Sequence, residues 1–129
     1  MNVKTLLTAF SLSLIAGLAS ASGYHVTGYV NASSTSLYGS MNNRYNTSAS
    51  TTTTYIGAYG SAGSTVTFFG RDGDGDTFSC YVTTSSTLYD AAIDIKNNLT
   101  NGGYLSVSKT ATSTACTSVY LLNASYFLD

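Results

Sequence analysis

Cys80 and Cys116 are the only cysteines in the chain, and whether they can bond to each other constrains how the rest of it can be stabilised. The answer depends on the compartment, which the N-terminus indicates. Met1-Asn2-Val3-Lys4 is short and carries one positive charge; Thr5 to Leu18 is apolar with small polar breaks and no charge; Ala19-Ser20-Ala21 is a small-x-small cleavage pattern. This three-part plan is that of a secretory signal peptide over residues 1–21. The apolar run falls short of the roughly 20 residues needed to span a bilayer. The expected destination is therefore secreted or periplasmic, where an even pair of cysteines reads as a disulfide. The bridge closes a loop of 36 positions, which the chain-entropy account values at about 3–4 kcal/mol, a large share of the net stability of a small domain.

Residues 22–129 remain after cleavage, the length of one domain with a modest core. They carry Arg44, Arg71, Lys96 and Lys109 against six aspartates and no glutamate. That balance offers no basic patch to a phosphate backbone and no polybasic handle to an anionic membrane. No second apolar run is long enough to insert, so neither nucleic acid nor membrane insertion is expected. Only 9% of the residues are charged and 43% are hydrophobic, the reverse of a disordered composition.

Side-chain periods then place the elements. Tyr24 to Val30 alternates as a first strand. Asn31 to Ser61, rich in Ser, Thr, Asn, Gly and Tyr, is expected to hold one or two exposed strands, with Tyr55–Tyr59 the best candidate. Thr65 to Phe69 is a strand, Gly70 to Asp76 is turn chemistry, and Phe78, Cys80 and Val82 alternate with polar neighbours, which together make a hairpin. Leu88, Ala91, Ala92, Ile95 and Leu99 form one apolar stripe and predict a helix over about residues 87–101. Thr87 and Asp90 resemble a capping box, and Gly102-Gly103 reads as the stop. Tyr104 to Ser108 is a strand with Leu105 and Val107 on one face. Ser118 to Leu128 is a last strand whose Tyr120 and Leu122 side is apolar or aromatic, with Val119 and Leu121 opposite, so its first half is expected to be buried on both sides.

A helix between strands of a mainly β chain is the plan of an OB-like, five-stranded β-barrel closed by one helix, with Cys116 tied back to Cys80. Thr87-Leu88-Tyr89-Asp90-Ala91-Ala92, the Asn101-Gly102-Gly103 turn, the strand after it, a Cys and a last apolar strand give an element order, over roughly residues 64–128, that resembles the receptor-binding B subunits of AB5-type bacterial toxins. The resemblance implies an exported OB-fold with one disulfide, a homo-oligomeric ring, and binding of cell-surface glycans. It carries over no glycan-contact residue.

The remaining constellations are sparse. Asp72, Asp74 and Asp76 alternate like the opening of a calcium loop, but positions six and twelve of that loop would be Thr77 and Thr83 rather than Gly and Glu. The segment reads as a solvated hairpin turn, with Arg71 neutralising part of its charge, and neither a metal nor a cofactor is expected. His25 is the only histidine, and no Gly-x-Ser-x-Gly elbow is present, so a non-enzymatic protein is expected. The sequons at Asn31, Asn46, Asn98 and Asn123 are what chance gives in so Asn-, Ser- and Thr-rich a chain.

The unusual feature is 11 tyrosines with no tryptophan. Tyr29, Tyr38, Tyr45, Tyr55, Tyr59 and Tyr81 fall outside the clear core pattern. A ring face with a polar tip suits sugars and protein interfaces, although tyrosine also simply favours strands. Three readings follow: a secreted module binding a carbohydrate or cell-surface partner, a structural or adhesive protein that self-assembles, and a small hydrolase or an inhibitor of one. The first has most behind it.

Overall fold

The computed structural model describes residues 28–42 and 53–124. Within them the order is β1 (Val30–Ala32), β2 (Ser36–Ser40), β3 (Tyr55–Tyr59), β4 (Val66–Arg71), β5 (Thr77–Val82), α1 (Tyr89–Asn98), β6 (Gly103–Lys109) and β7 (Cys116–Asn123). The strands form two antiparallel sheets, β1-β2-β6-β7 (sheet A) and β3-β4-β5 (sheet B).

Strict alternation explains the clearest elements. In β5, Phe78, Cys80 and Val82 are buried and Thr77, Ser79 and Tyr81 exposed. In β4, Val66, Phe68 and Gly70 face inward, and in β6 Gly103, Leu105 and Val107 do the same. β4 and β5 form the expected hairpin, with Arg71 opposite Thr77 beside the turn. The inward side chains of both sheets meet Ala92 and Ile95 of α1 in one core. Sheet-to-sheet approach is closest where Leu37 lies over Gly70: a Cβ there would stand 2.5 Å from a Leu37 methyl, so β4 needs glycine at that position.

The mainly β fold with one helix and a Cys80–Cys116 disulfide stands, but the OB-like five-stranded barrel does not. The described residues hold seven strands in two open sheets. A closed barrel gives every strand two ladder partners. Here β1, β7, β3 and β5 each have one, and β2, flanked by β1 and β6, shares no ladder with β3. On the other side the backbone of β5 meets the chain of sheet A at a single bridge, Tyr81–Ala115, where the Tyr81 N–H donates to Thr114 O (3.0 Å). The extra strands come from the Ser/Thr/Asn-rich stretch. β2, expected to be exposed if present, is a central strand with Leu37 fully buried.

The helix is shorter than its periodicity suggested. Leu88 occupies the N-cap position with no side-chain cap, and Leu99 is already extended. The Thr87–Asp90 capping box is replaced by Ser86, which accepts from the Leu88 N–H (Oγ, 3.2 Å) and the Tyr89 N–H (carbonyl, 3.1 Å). Gly103 opens β6 rather than ending α1. Rather than plugging a barrel, α1 packs against β4 and β7. Tyr89 Oη donates to Ser64 O (2.9 Å) and Lys96 Nζ to Gly60 O (3.1 Å), fastening it to the β3–β4 loop. β7 also differs from expectation, since Val119 and Leu121 pack on the core while Tyr120 is 53% exposed.

Ties between the sheets replace a continuous ladder. The disulfide joins β5 to β7. Asp72, 6% exposed, sits in the β4–β5 turn and accepts from three backbone N–H groups: Asp74 (3.0 Å) and Asp76 (2.9 Å) on Oδ1, and Ala32 of β1 (3.2 Å) on Oδ2. Lys109 Nζ donates to Ser79 O (2.9 Å) and lies over the Phe78 ring.

Two outcomes test these ties by equilibrium unfolding. Replacing both cysteines with alanine should lower the unfolding free energy by about 2–5 kcal/mol. Asp72→Ala leaves three donors, one of them buried, without their acceptor and should cost about 2–3 kcal/mol, with Asp72→Asn costing less. Added calcium should shift neither the wild type nor the variants.

Candidate functional site

The two sheets turn their inner faces to one core, so their outer faces point away from each other. Both are aromatic. On sheet B the register sets out a grid of three rows: Tyr55–Arg71–Thr77, Gly57–Phe69–Ser79 and Tyr59–Thr67–Tyr81. Phe69 stands at its centre, and its ring lies across Gly57, where a Cβ would come within 3.2 Å of the ring. The absence of a side chain at Gly57 lets Phe69 settle between Tyr55 and Tyr59, with ring centroids 5.9 and 5.6 Å away. The result is a strip of three rings along β3, its ends exposed (Tyr59 60%, Tyr55 40%). Tyr81 lies one strand beyond Thr67. Arg71 closes the Tyr55 end, with its Nε buried and without a hydrogen-bond partner.

On sheet A the outer rows are Asn31–Tyr38–Ser106–Tyr120 and Ser40–Tyr104–Leu122. Tyr29 precedes β1 opposite Ser40, whose Oγ accepts the Tyr29 N–H (3.1 Å) and whose N–H donates to Tyr29 O (2.9 Å). The Tyr29 ring meets Tyr38 edge-on at 6.3 Å and Tyr104 at 6.2 Å. These three rings form a cluster that roofs Ser40, which is fully buried. Burial, with a hydrogen bond to Tyr29 and the nearby Tyr29, Tyr38 and Tyr120 phenols behind it, pushes the Tyr104 phenol well above the usual tyrosine range. Ser106 falls between Tyr38 and Tyr120 in register.

The tyrosines singled out in the sequence thus divide. Tyr55, Tyr59 and Tyr81 share the outer face of sheet B; Tyr29 and Tyr38 share that of sheet A. Tyr45 and His25 lie outside the described residues, as does the signal-like segment 1–21. Tyr104, Tyr120 and Phe69 were missed. Tyr104 sits in a strand read only for its Leu105 and Val107 face, Tyr120 in one expected to be buried on both sides, and Phe69 in one whose faces were not assigned. The carboxylates of the β4–β5 turn do not assemble a cation site: Asp72 is occupied by N–H donors, and no group of three His, Cys, Asp or Glu side chains among the described residues could hold a metal ion. Asn123 is engaged, accepting from Thr100 Oγ1 (3.3 Å) and donating to Asn98 O (3.4 Å).

Two hollows flank α1, one of about 380 Å³ against β7 and one of about 300 Å³ near Ala62 and Gly63. Each is lined by a single aromatic side chain, Tyr120 or Tyr89. The aromatic faces carry far more stacking surface. No helix among the described residues is long and apolar enough to cross a membrane.

The Tyr104 environment has a measurable consequence. A phenol whose pKa is raised in the folded state contributes stability that is complete below the unfolded value of about 10 and is lost as pH rises above it. Absorbance titration should find a tyrosine that ionises only after the others or on alkaline unfolding. Tyr104→Phe should remove it and flatten the fall of stability above about pH 10.

Comparison of the chain with protein-family models, with curated proteins and with solved structures finds no match. With no relative to support it and two open sheets in place of a closed barrel, the resemblance to toxin B subunits is withdrawn.

Proposed function

We propose that the protein is an exported, non-enzymatic binding module, acting in the periplasm or outside the cell, whose ligand is a carbohydrate carried on a surface or polymer. The observation behind this reading is the Tyr55–Phe69–Tyr59 strip. Pyranose rings present C–H faces that stack on aromatic rings, and their hydroxyls need polar partners close by. Tyrosine supplies both from one side chain. The strip's centroid spacings of 5.9 and 5.6 Å are close to the advance of one sugar residue in an extended β-linked chain. Three successive rings can therefore underlie successive sugars. Thr67, Thr77 and Ser79 border the strip with hydroxyls.

The platform is also preformed. Its side chains stand on paired strands, and Phe69 is held over Gly57, so little ordering is needed on binding. An open row of rings held on paired strands favours extended polymers over small ligands enclosed in a pocket, and the 47° and 56° tilts of Phe69 against Tyr55 and Tyr59 make that row stepped.

The test is retention of the mature, oxidised protein on cellulose, chitin and mannan particles. The wild type should be depleted from solution by at least one of the three. Tyr59→Ala, which removes the most exposed ring of the strip, should bind about tenfold more weakly, equivalent to about 1.4 kcal/mol, with its melting temperature nearly unchanged. Absence of wild-type retention on all three would overturn the reading.

A further inference from the structure

We infer that Arg71 makes the Tyr55 end of the aromatic strip selective for a sugar that carries a carboxylate. This rests on the carbohydrate reading of sheet B and deepens it.

Arg71 ends β4 directly opposite Tyr55, so both side chains leave the outer face of sheet B at the same end of the strip. The sequence suggests that Arg71 neutralises the carboxylates of the turn that follows it. The structure gives those groups other partners or none. Both oxygens of Asp72 are taken by backbone N–H groups. Among the described residues, no side-chain hydrogen bond or ion pair joins Arg71 to Asp74, Asp76 or any other group.

The guanidinium is nevertheless held in place. Its Nε is buried, so the stem lies against the protein rather than ranging through solvent. Nη2 lies over the β4–β5 turn, where a Cβ on Gly75 would stand 3.4 Å away. Gly75, at φ 97°, leaves that space open. The two Nη groups are as unpartnered as Nε but are solvent-accessible. The side-on edge of the guanidinium, which needs Nε, is therefore closed to a ligand, while the end-on edge, with both Nη groups, is open.

Two N–H donors at a fixed separation match the two oxygens of a carboxylate, and charge-assisted bonds of this kind are about twice as strong as neutral ones. Burial of the stem has already met part of the ordering cost. Asp74 and Asp76, both exposed, restrict the occupant. With Asp72 they leave the turn net negative, which repels a densely charged polyanion. A single carboxylate that reaches both Nη groups is compensated at contact. A uronate residue has the two features needed: a C–H face to stack on Tyr55 and one planar anion beside it. The occupant is therefore a stacking glycan with scattered uronate residues.

The experiment measures retention on cellulose and mannan particles oxidised at C6 on a minority of their residues, before and after methyl esterification. Esterification removes the charge and keeps the chain. The protein has fewer cations than carboxylates, so tighter retention on charged particles cannot come from its overall charge. The wild type should bind the charged form of a particle about tenfold more tightly than the esterified form, and added salt should narrow the difference. Arg71→Gln should bring the two forms within about twofold of each other. Arg71→Lys, which keeps the charge but loses the paired donors, should fall between. Tyr59→Ala should weaken binding to both forms alike. Equal wild-type binding to the two forms, or an undiminished preference in Arg71→Gln, would overturn the Arg71 site and leave the strip standing. Absence of wild-type retention on charged, esterified and unmodified particles alike would overturn the strip, and the Arg71 site with it.

Discussion

Two sheets that share almost no backbone ladder have to be held together by side chains, and most other features of this protein depend on that. One bridge, Tyr81 to Ala115, is the only backbone pairing between the sheets that the described strands show. The rest of the join is a disulfide, side-chain hydrogen bonds and packing. Cys80 and Cys116 fasten β5 to β7, the Asp72 carboxylate reaches from the β4–β5 turn to the Ala32 N–H, and Lys109 crosses from β6 to Ser79. Leu37 fills the space that Gly70 leaves. Asp72 combines two roles, since the same carboxylate that orders its own turn through Asp74 and Asp76 also docks that turn on β1. A buried carboxylate with three N–H donors is well compensated for its lost hydration.

How much of this could be read from the residues depended on whether each signal was local. The β4–β5 hairpin, the buried Phe78–Cys80–Val82 side, β6 and the disulfide follow from alternation, turn chemistry and cysteine count, all of which operate within one element or one compartment. The sheet partition does not. Whether β2 pairs with β3 or with β6 is decided by contacts about seventy residues apart in sequence, and nothing in Ser36–Ser40 distinguishes those partners. The helix stripe was legible, but its ends were not: Ser86 outcompeted Thr87 for the first free N–H groups, and Leu99 turned extended before the glycines were reached.

The candidate site was half legible for a related reason. Tyrosines in polar stretches, such as Tyr55 and Tyr59, stood out because no core pattern claimed them. Tyr104, Tyr120 and Phe69 lie in strands whose apolar neighbours were so evident that the rings were absorbed into the core. In β7 both alternating sets are apolar or aromatic, so period alone could not say which faced inward. The structure settles it with Val119 and Leu121 on the core and Tyr120 outside. A hydroxyl at the end of a ring makes that exposure cheap, which is why tyrosine can occupy both environments where phenylalanine or leucine would favour one.

That same property limits what the outer faces can be for. Exposed apolar area on a small monomer is tolerated singly but is costly to solubility when contiguous. Here each sheet carries rings on its outer face, with a residue without a bulky side chain among them: Gly57 lets Phe69 lie between Tyr55 and Tyr59, and Ser106 falls between Tyr38 and Tyr120 in register. Neither choice serves strand stability, since glycine weakens a strand interior and serine offers less cross-strand packing than a β-branched or aromatic residue. Threonine at Ser106 would hold the strand better; alanine at Gly57 would hold it better and push the Phe69 ring away. Strands that give up local stability to keep particular surface shapes are strands shaped by what they contact, and it is the Gly57 and Phe69 pairing on sheet B that the carbohydrate proposal rests on.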